Sequence, residues 1–162
     1  MSHLAAPVVR ESAGMATWTA ETSVAGLPDE VLELLTQPEA IARWAPIGFD
    51  VIDFEGDRLR AGDYVRVRGA LAGRSLEFDV DVSEADDGRL VLRATGPIRL
   101  DVEYLAVANA AGSDLRASVA VSGRGLMGRV LAQATDALLA AGALSTAVGR
   151  LARELEAEPA LA

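Results

Sequence analysis

Cysteine is absent from the 162 residues, which excludes a disulfide framework and any thiolate metal site. Histidine is limited to His3, in a polar N-terminal stretch, so Ser/His/Asp and Cys/His catalysis has no base to draw on. Lysine is missing as well. All 15 basic residues are Arg, against 24 Asp and Glu, and the net charge of -9 opposes binding to phosphate backbones or anionic membrane surfaces. Neither nucleic acid nor membrane insertion is expected. No charged start followed by an apolar stretch marks a secretory leader, and the longest uncharged run of the last segment, Ala137 to Gly149, is closed by Asp136 and Arg150 and is too short for a bilayer. A cytoplasmic protein is expected, and the Ala-rich, all-Arg composition favours a bacterial origin.

The chain is nonetheless rich in material for a core. Its 51% hydrophobic content fits one globular domain, and a chain of this length buries about two thirds of its unfolded surface. Gly125 to Glu156 reads as a single amphipathic helix. Leu126, Val130, Leu131, Ala134, Leu138, Ala141, Val148, Leu151 and Leu155 recur at helical spacing, with Arg129, Asp136, Arg150 and Glu154 on the other side. Residues 1–14 show no periodicity and are expected to be a disordered tail, and residues 158–162 a frayed end, leaving one domain over 15–157.

Thr17 to Val24 alternates as a first strand, ended by Gly26-Leu27-Pro28. Pro28 opens a short helix carrying Val31, Leu34 and Leu35. Pro38 opens a second through Ala42, after which Arg43-Trp44-Ala45-Pro46 forces an extended exit. From Phe49 onward, turn signals at Gly56-Asp57, Ala61-Gly62-Asp63, Ala72-Gly73, Asp86-Asp87-Gly88, Gly96-Pro97 and Ala111-Gly112-Ser113 bound six further strands. Their alternation is clean: Leu76, Phe78, Val80 and Val82 oppose Glu77, Asp79 and Asp81, and Ile98, Leu100, Val102 and Tyr104 oppose Arg99, Asp101 and Glu103. Strands with one wet and one apolar face predict an antiparallel sheet covered on one side, and the terminal helix is the available cover. This is an α+β chain.

The order of elements, with Gly26-Leu27-Pro28-Asp29-Glu30-Val31-Leu32-Glu33-Leu34-Leu35-Thr36-Gln37-Pro38-Glu39 and Arg43-Trp44-Ala45-Pro46, resembles the SRPBCC or START-like helix-grip superfamily of START domains, Bet v 1-like proteins and bacterial polyketide cyclase/dehydrase-like proteins. Leu32 stands where the family motif has an aromatic, Gln37 where it has an acid, and the later proline falls one place late. The resemblance implies a seven-stranded curved antiparallel sheet, with two short helices after strand one, wrapped around a long C-terminal helix. It also implies an apolar cavity between sheet and helix that binds a small hydrophobic molecule, lipid- or polyketide-like. On this reading the ligand-binding candidates are Trp44, Phe49, Phe78, Leu92, Tyr104, Val119, Leu138, Ala141 and Ser145. Catalytic residues do not carry over, so a cyclase or dehydrase is the alternative to a binding protein. An interaction module with a closed cavity is a third reading. No cofactor or metal is expected, and the chain is a monomer or homodimer.

Other patterns have structural explanations. Gly123-Arg124-Gly125-Leu126-Met127-Gly128 matches a dinucleotide-binding G-x-G-x-x-G, but the preceding strand alternates and Val148 stands where an acid should hold the ribose. A strand-to-helix corner is expected instead. Asp53, Glu55 and Asp57 have calcium-loop spacing without the later glutamate, and so read as a solvated turn. Glu77, Asp79 and Asp81 are expected to pair with Arg66 and Arg68 across the outer face of the sheet. Inward polar groups reduce to Thr22 and Tyr104 on strands and Ser145 on the helix, with Gln133 and Thr135 at the edge of its stripe.

Overall fold

The alternating segments pair as one antiparallel sheet in the computed structural model, which describes residues 8–12, 15–44, 49–54, 56–71 and 73–157. The elements are β1 (Val8–Ser12), β2 (Met15–Val24), α1 (Pro28–Thr36), α2 (Pro38–Trp44), β3 (Phe49–Asp53), β4 (Tyr64–Leu71), β5 (Arg74–Asp86), β6 (Arg89–Thr95), β7 (Ile98–Asn109), β8 (Gly112–Gly123), α3 (Gly125–Ala140) and α4 (Ala143–Ala157). The meander runs β3 to β8 with each strand beside the next, and β2 then pairs with β8, giving the order β1-β2-β8-β7-β6-β5-β4-β3. The seven expected strands and the helix grip are present. An eighth strand falls within the stretch expected to be a disordered tail: Val8–Ser12 pairs with β2 from Val8↔Thr19 to Ser12↔Met15, while residues 1–7 and 13–14 lie outside the described residues. A short edge strand held by backbone bonds on one side needs no apolar alternation, so period-two patterning does not reveal it.

Register puts the apolar rows on one face. Leu92, Val102 and Val119 lie side by side across β6, β7 and β8, and so do Leu90, Tyr104 and Ala117. A bulge at Ser83, between the pairs Val82↔Leu92 and Glu84↔Val91, shifts the inward phase of β5 by one residue and bends the strand. The opposite face carries the ion pairs. Arg68–Glu77 (3.1 Å) and Arg66–Asp79 (3.5 Å) join β4 to β5 as expected, while Arg93–Asp101 (2.7 Å), Arg89–Glu103 (2.8 Å) and Arg116–Glu21 (2.7 Å) continue the pattern across the sheet. Each of these pairs is solvent-exposed and stabilises by about 0–1 kcal/mol.

The terminal helix is broken, contrary to the single helix expected over Gly125 to Glu156. Gly142 adopts φ +95, a left-handed conformation that ends α3, and α4 leaves at 54° to it. The amide of Ala141 bonds to Ala137 O (3.0 Å) and that of Gly142 to Leu139 O (3.1 Å), closing the last turn. With the break, each half sets its own rotation. The buried stripe of α3 is Gly128, Leu131, Thr135 and Leu139, whereas Leu126 is 83% exposed and Met127, Val130 and Leu138 also face outward. In α4, Leu144, Ala147, Val148, Leu151, Ala152 and Leu155 are buried, chiefly against β2. No single described helix is long and apolar enough to cross a membrane.

The glycine-rich corner is structural, as expected. A Cβ built on Gly123 would lie 2.2 Å from Gly128 O, so these two glycines permit the first turn of α3 to sit directly on the end of β8.

Candidate functional site

Between the concave face of the sheet and α3 lies a cavity of about 190 Å³. Its floor comes from alternate residues of adjacent strands: Val65 and Val67 on β4, Phe78 and Val80 on β5, Leu90, Leu92 and Ala94 on β6, and Ile98, Leu100, Val102 and Tyr104 on β7, with Val119 on β8. Thr135 and Leu139, one turn apart on α3, form the roof. Pro38 and Ile41 of α2, Phe49 and Val51 of β3, and Leu59 close the side. Val51, at 38%, is the most exposed of the described lining residues and marks where the cavity meets solvent.

The cavity exists because the roof is held by few bulky contacts. Leu131 and Leu139 are the large side chains that α3 buries, and between them stands the small Thr135. A hydrogen bond from Trp18 Nε1 to Asp136 Oδ1 (2.9 Å) ties the middle of α3 to β2. On the opposite side, Leu59 is 5% exposed and its amide donates to Thr36 O (2.7 Å), so the loop before β4 tucks one apolar residue under α1.

No Asp, Glu, Arg or His is among the described residues lining the cavity, whereas Thr135 and Tyr104 carry hydroxyls. Thr135, 1% exposed, donates to Leu131 O (2.9 Å), as helical threonines do to the preceding turn. Tyr104 is 3% exposed, and burial pushes its pKa well above the usual phenol range, so it stays neutral. On the outer face, hydrogen bonding to Asp79 raises the Tyr64 pKa, and Arg89 and Arg93 are raised by hydrogen bonds to Glu103 and Asp101. Those shifts belong to the ion-pair lattice and lie outside the cavity. Among the described residues no group of three His, Cys, Asp or Glu side chains could hold a metal ion.

The structure gathers five of the nine ligand-binding candidates around the cavity: Phe49, Phe78, Leu92, Tyr104 and Val119. Leu138 and Ala141 do not line it. They are exposed, because the break at Gly142 turns that edge of α3 outward. Ser145 falls in the first turn of α4, half-buried and away from the cavity wall. Trp44 ends α2, with its side chain outside the described residues, as are Ala45 and Pro46. Thr22 is buried on β2 with no partner to its Oγ1 among the described residues, and it too lies off the cavity. Gln133 is exposed. The helical spacing puts Thr135 at the margin of the stripe and does not single out Leu139 or Leu59. Leu59 carries a readable signal, since it is the lone apolar residue in Asp57-Arg58-Leu59-Arg60.

A curved antiparallel sheet, two short helices and a C-terminal helical cover over an apolar cavity define a helix-grip protein. Solved structures agree. A START superfamily protein from Mycobacterium smegmatis superposes with a TM-score of 0.60 at 18% identity, covering 88% of this chain and 97% of the other. The Zhui aromatase/cyclase from a Streptomyces species gives 0.60 at 16% identity, covering 84% and 93%. DynU16, a putative protein in the dynemicin biosynthetic locus, gives 0.52 at 27% identity over 90% of this chain, which spans 48% of DynU16. No protein-family model and no curated protein matches the sequence. The chain has the SRPBCC, START-like fold.

Proposed function

We propose that this chain binds a small apolar molecule in the cavity between the sheet and α3, without transforming it. The observation that carries the reading is the lining: a void of about 190 Å³ whose described wall is aliphatic and aromatic, with the hydroxyl-bearing residues Thr135 and Tyr104 and, among the described residues, no ionisable acid, base or nucleophile pair. General acid–base chemistry needs a titratable group within hydrogen-bond reach of the substrate, and the described residues of the wall supply none near neutral pH. The cavity also argues against the closed interaction module, because the roof does not fill the space above β6 and β7.

Cyclisation is a second reading, supported by the likeness to an aromatase/cyclase and to a protein of a biosynthetic locus. In that case the cavity holds a reactive chain folded and excludes water, and the two hydroxyls orient it. Native mass spectrometry of the protein as purified, followed by titration with an apolar fluorescent dye, separates the readings. Retained or displaceable ligand that is recovered unchanged supports binding. Recovery of a cyclised or dehydrated product supports catalysis, and failure of every apolar probe to bind overturns both.

A further inference from the structure

The outward stripe of α3 is apolar and, among the described residues, has no cover. Leu126, Met127, Val130 and Leu138 are exposed, with Ala137 and Ala141 exposed beside them. A contiguous apolar surface of this kind marks an interaction site, whereas single exposed apolar residues do not. Within the stripe, Met127, Val130, Ala134, Ala137 and Ala141 recur at alternating steps of three and four residues, the spacing by which one helix packs along another. Gln133 borders the stripe, and Arg129 and Asp136 stand further round the same flank, two turns apart.

The two halves of the stripe differ in bulk. Met127 and Val130 fill the first half, and the second is alanine. A second α3 laid antiparallel across a two-fold axis at Ala132 sets Met127 against Ala137 and Val130 against Ala134 of the other copy, so large meets small in each layer. The same axis brings Gln133 opposite its counterpart, where two carboxamides, each both donor and acceptor, can bond reciprocally. It also brings Arg129 of each copy beside Asp136 of the other. Arg129 is exposed and has no ion-pair partner among the described residues, unlike the arginines paired across the sheet. Asp136 uses Oδ1 on the Trp18 indole, which leaves its second oxygen to accept. Rim pairs of this kind set orientation more than strength. A parallel copy would instead put Arg129 near Arg129 and alanine against alanine.

We propose that the exposed face of α3 docks against the same face of a second copy of this chain, antiparallel about a two-fold axis at Ala132. At a net charge of -9, an uncharged stripe spares two copies the repulsion that acidic surfaces would meet. The contact is one helix per copy, so the dimer depends on concentration. It does not depend on what the cavity holds.

Sedimentation velocity on the full chain across the micromolar to millimolar range should show monomer passing to dimer. Gln133→Glu and Gln133→Lys each set like charges together at the axis and should weaken association at least about tenfold, whereas an equimolar mixture of the two should associate at least as well as the parent. Residue 133 is exposed, so Tm should be unchanged in both variants. The absence of cysteine allows a second measurement. Gln133→Cys should cross-link into a dimer under mild oxidation, and Leu126→Cys should not, because the axis separates its two copies by about 18 Å along the helix. A chain that stays monomeric at every concentration overturns the proposal. A dimer that both charged variants leave intact lies on another surface and overturns the assignment to α3. A mixture that fails to associate, or cross-linking through Leu126→Cys, overturns the antiparallel two-fold arrangement. A monomer that instead floats with phosphatidylcholine vesicles would show that α3 faces lipid, and the proposal falls.

Discussion

Replacing Ala94 by Leu asks whether the space above β6 is empty. Ala94 is buried on the inward face of β6, between Val80 on β5 and Leu100 on β7, and its methyl group lines the cavity. Leucine adds three carbons. If they enter the void, each contributes about 0.8 kcal/mol of burial, roughly 2.4 kcal/mol in all, and ordering the side chain costs about 0.5–1 kcal/mol. The net stabilisation is about 1.5 kcal/mol, a rise in Tm of about 3–6 °C for a domain of this size. The same atoms occupy the ligand's place, so binding of apolar dye should be lost. Differential scanning calorimetry and dye titration on one preparation read both quantities. Were the region filled, the added carbons would overpack it at a cost of about 1–3 kcal/mol. A lowered Tm with dye binding retained would refute the reasoning.

Leu139→Ala enlarges the void from the roof. Because one side of Leu139 already faces empty space, its cost should fall at the low end for such substitutions, about 2–3 kcal/mol by urea unfolding, and ligands with a second ring should gain affinity relative to single-ring ones. Asp136→Ala removes the acceptor of the Trp18 indole; a loss of about 1–2 kcal/mol is expected, with a shift in tryptophan emission as the check. Gly142→Ala forces a side chain into left-handed backbone at φ +95 and should cost about 1–2 kcal/mol, measured by thermal unfolding; a neutral or stabilising effect would mean that α3 and α4 can run on as one helix.

The sheet was legible because burial on one face imposes period-two alternation, and Leu76 to Val82 or Ile98 to Tyr104 cannot slip by one residue without exposing every apolar side chain. Phe78, Leu92, Tyr104 and Val119 were placed at the cavity for that reason. The helix was less legible. One glycine within Ala140-Ala141-Gly142-Ala143 costs an uninterrupted helix only about 1 kcal/mol, so packing of the two halves decides the break. Nothing in the local sequence outweighs that packing. A stripe drawn through all 32 positions carried the rotation of one half into the other, and Leu138, Ala141 and Ser145 were assigned inward on that account. The edge strand β1 escaped because its pairing is backbone to backbone.

The broken cover also separates two tasks that a continuous helix would couple. Among the described residues α4 buries six, mostly against β2, whereas α3 buries four and roofs the cavity. Substitutions at Thr135 and Leu139 can therefore retune what the cavity accepts while the packing of Leu144, Val148, Leu151 and Leu155 stays as it is. A single rigid helix would carry any tilt made at one end through to the other. Here a change of roof stops at Gly142, which leaves the protein free to diverge in its choice of ligand without renegotiating its core.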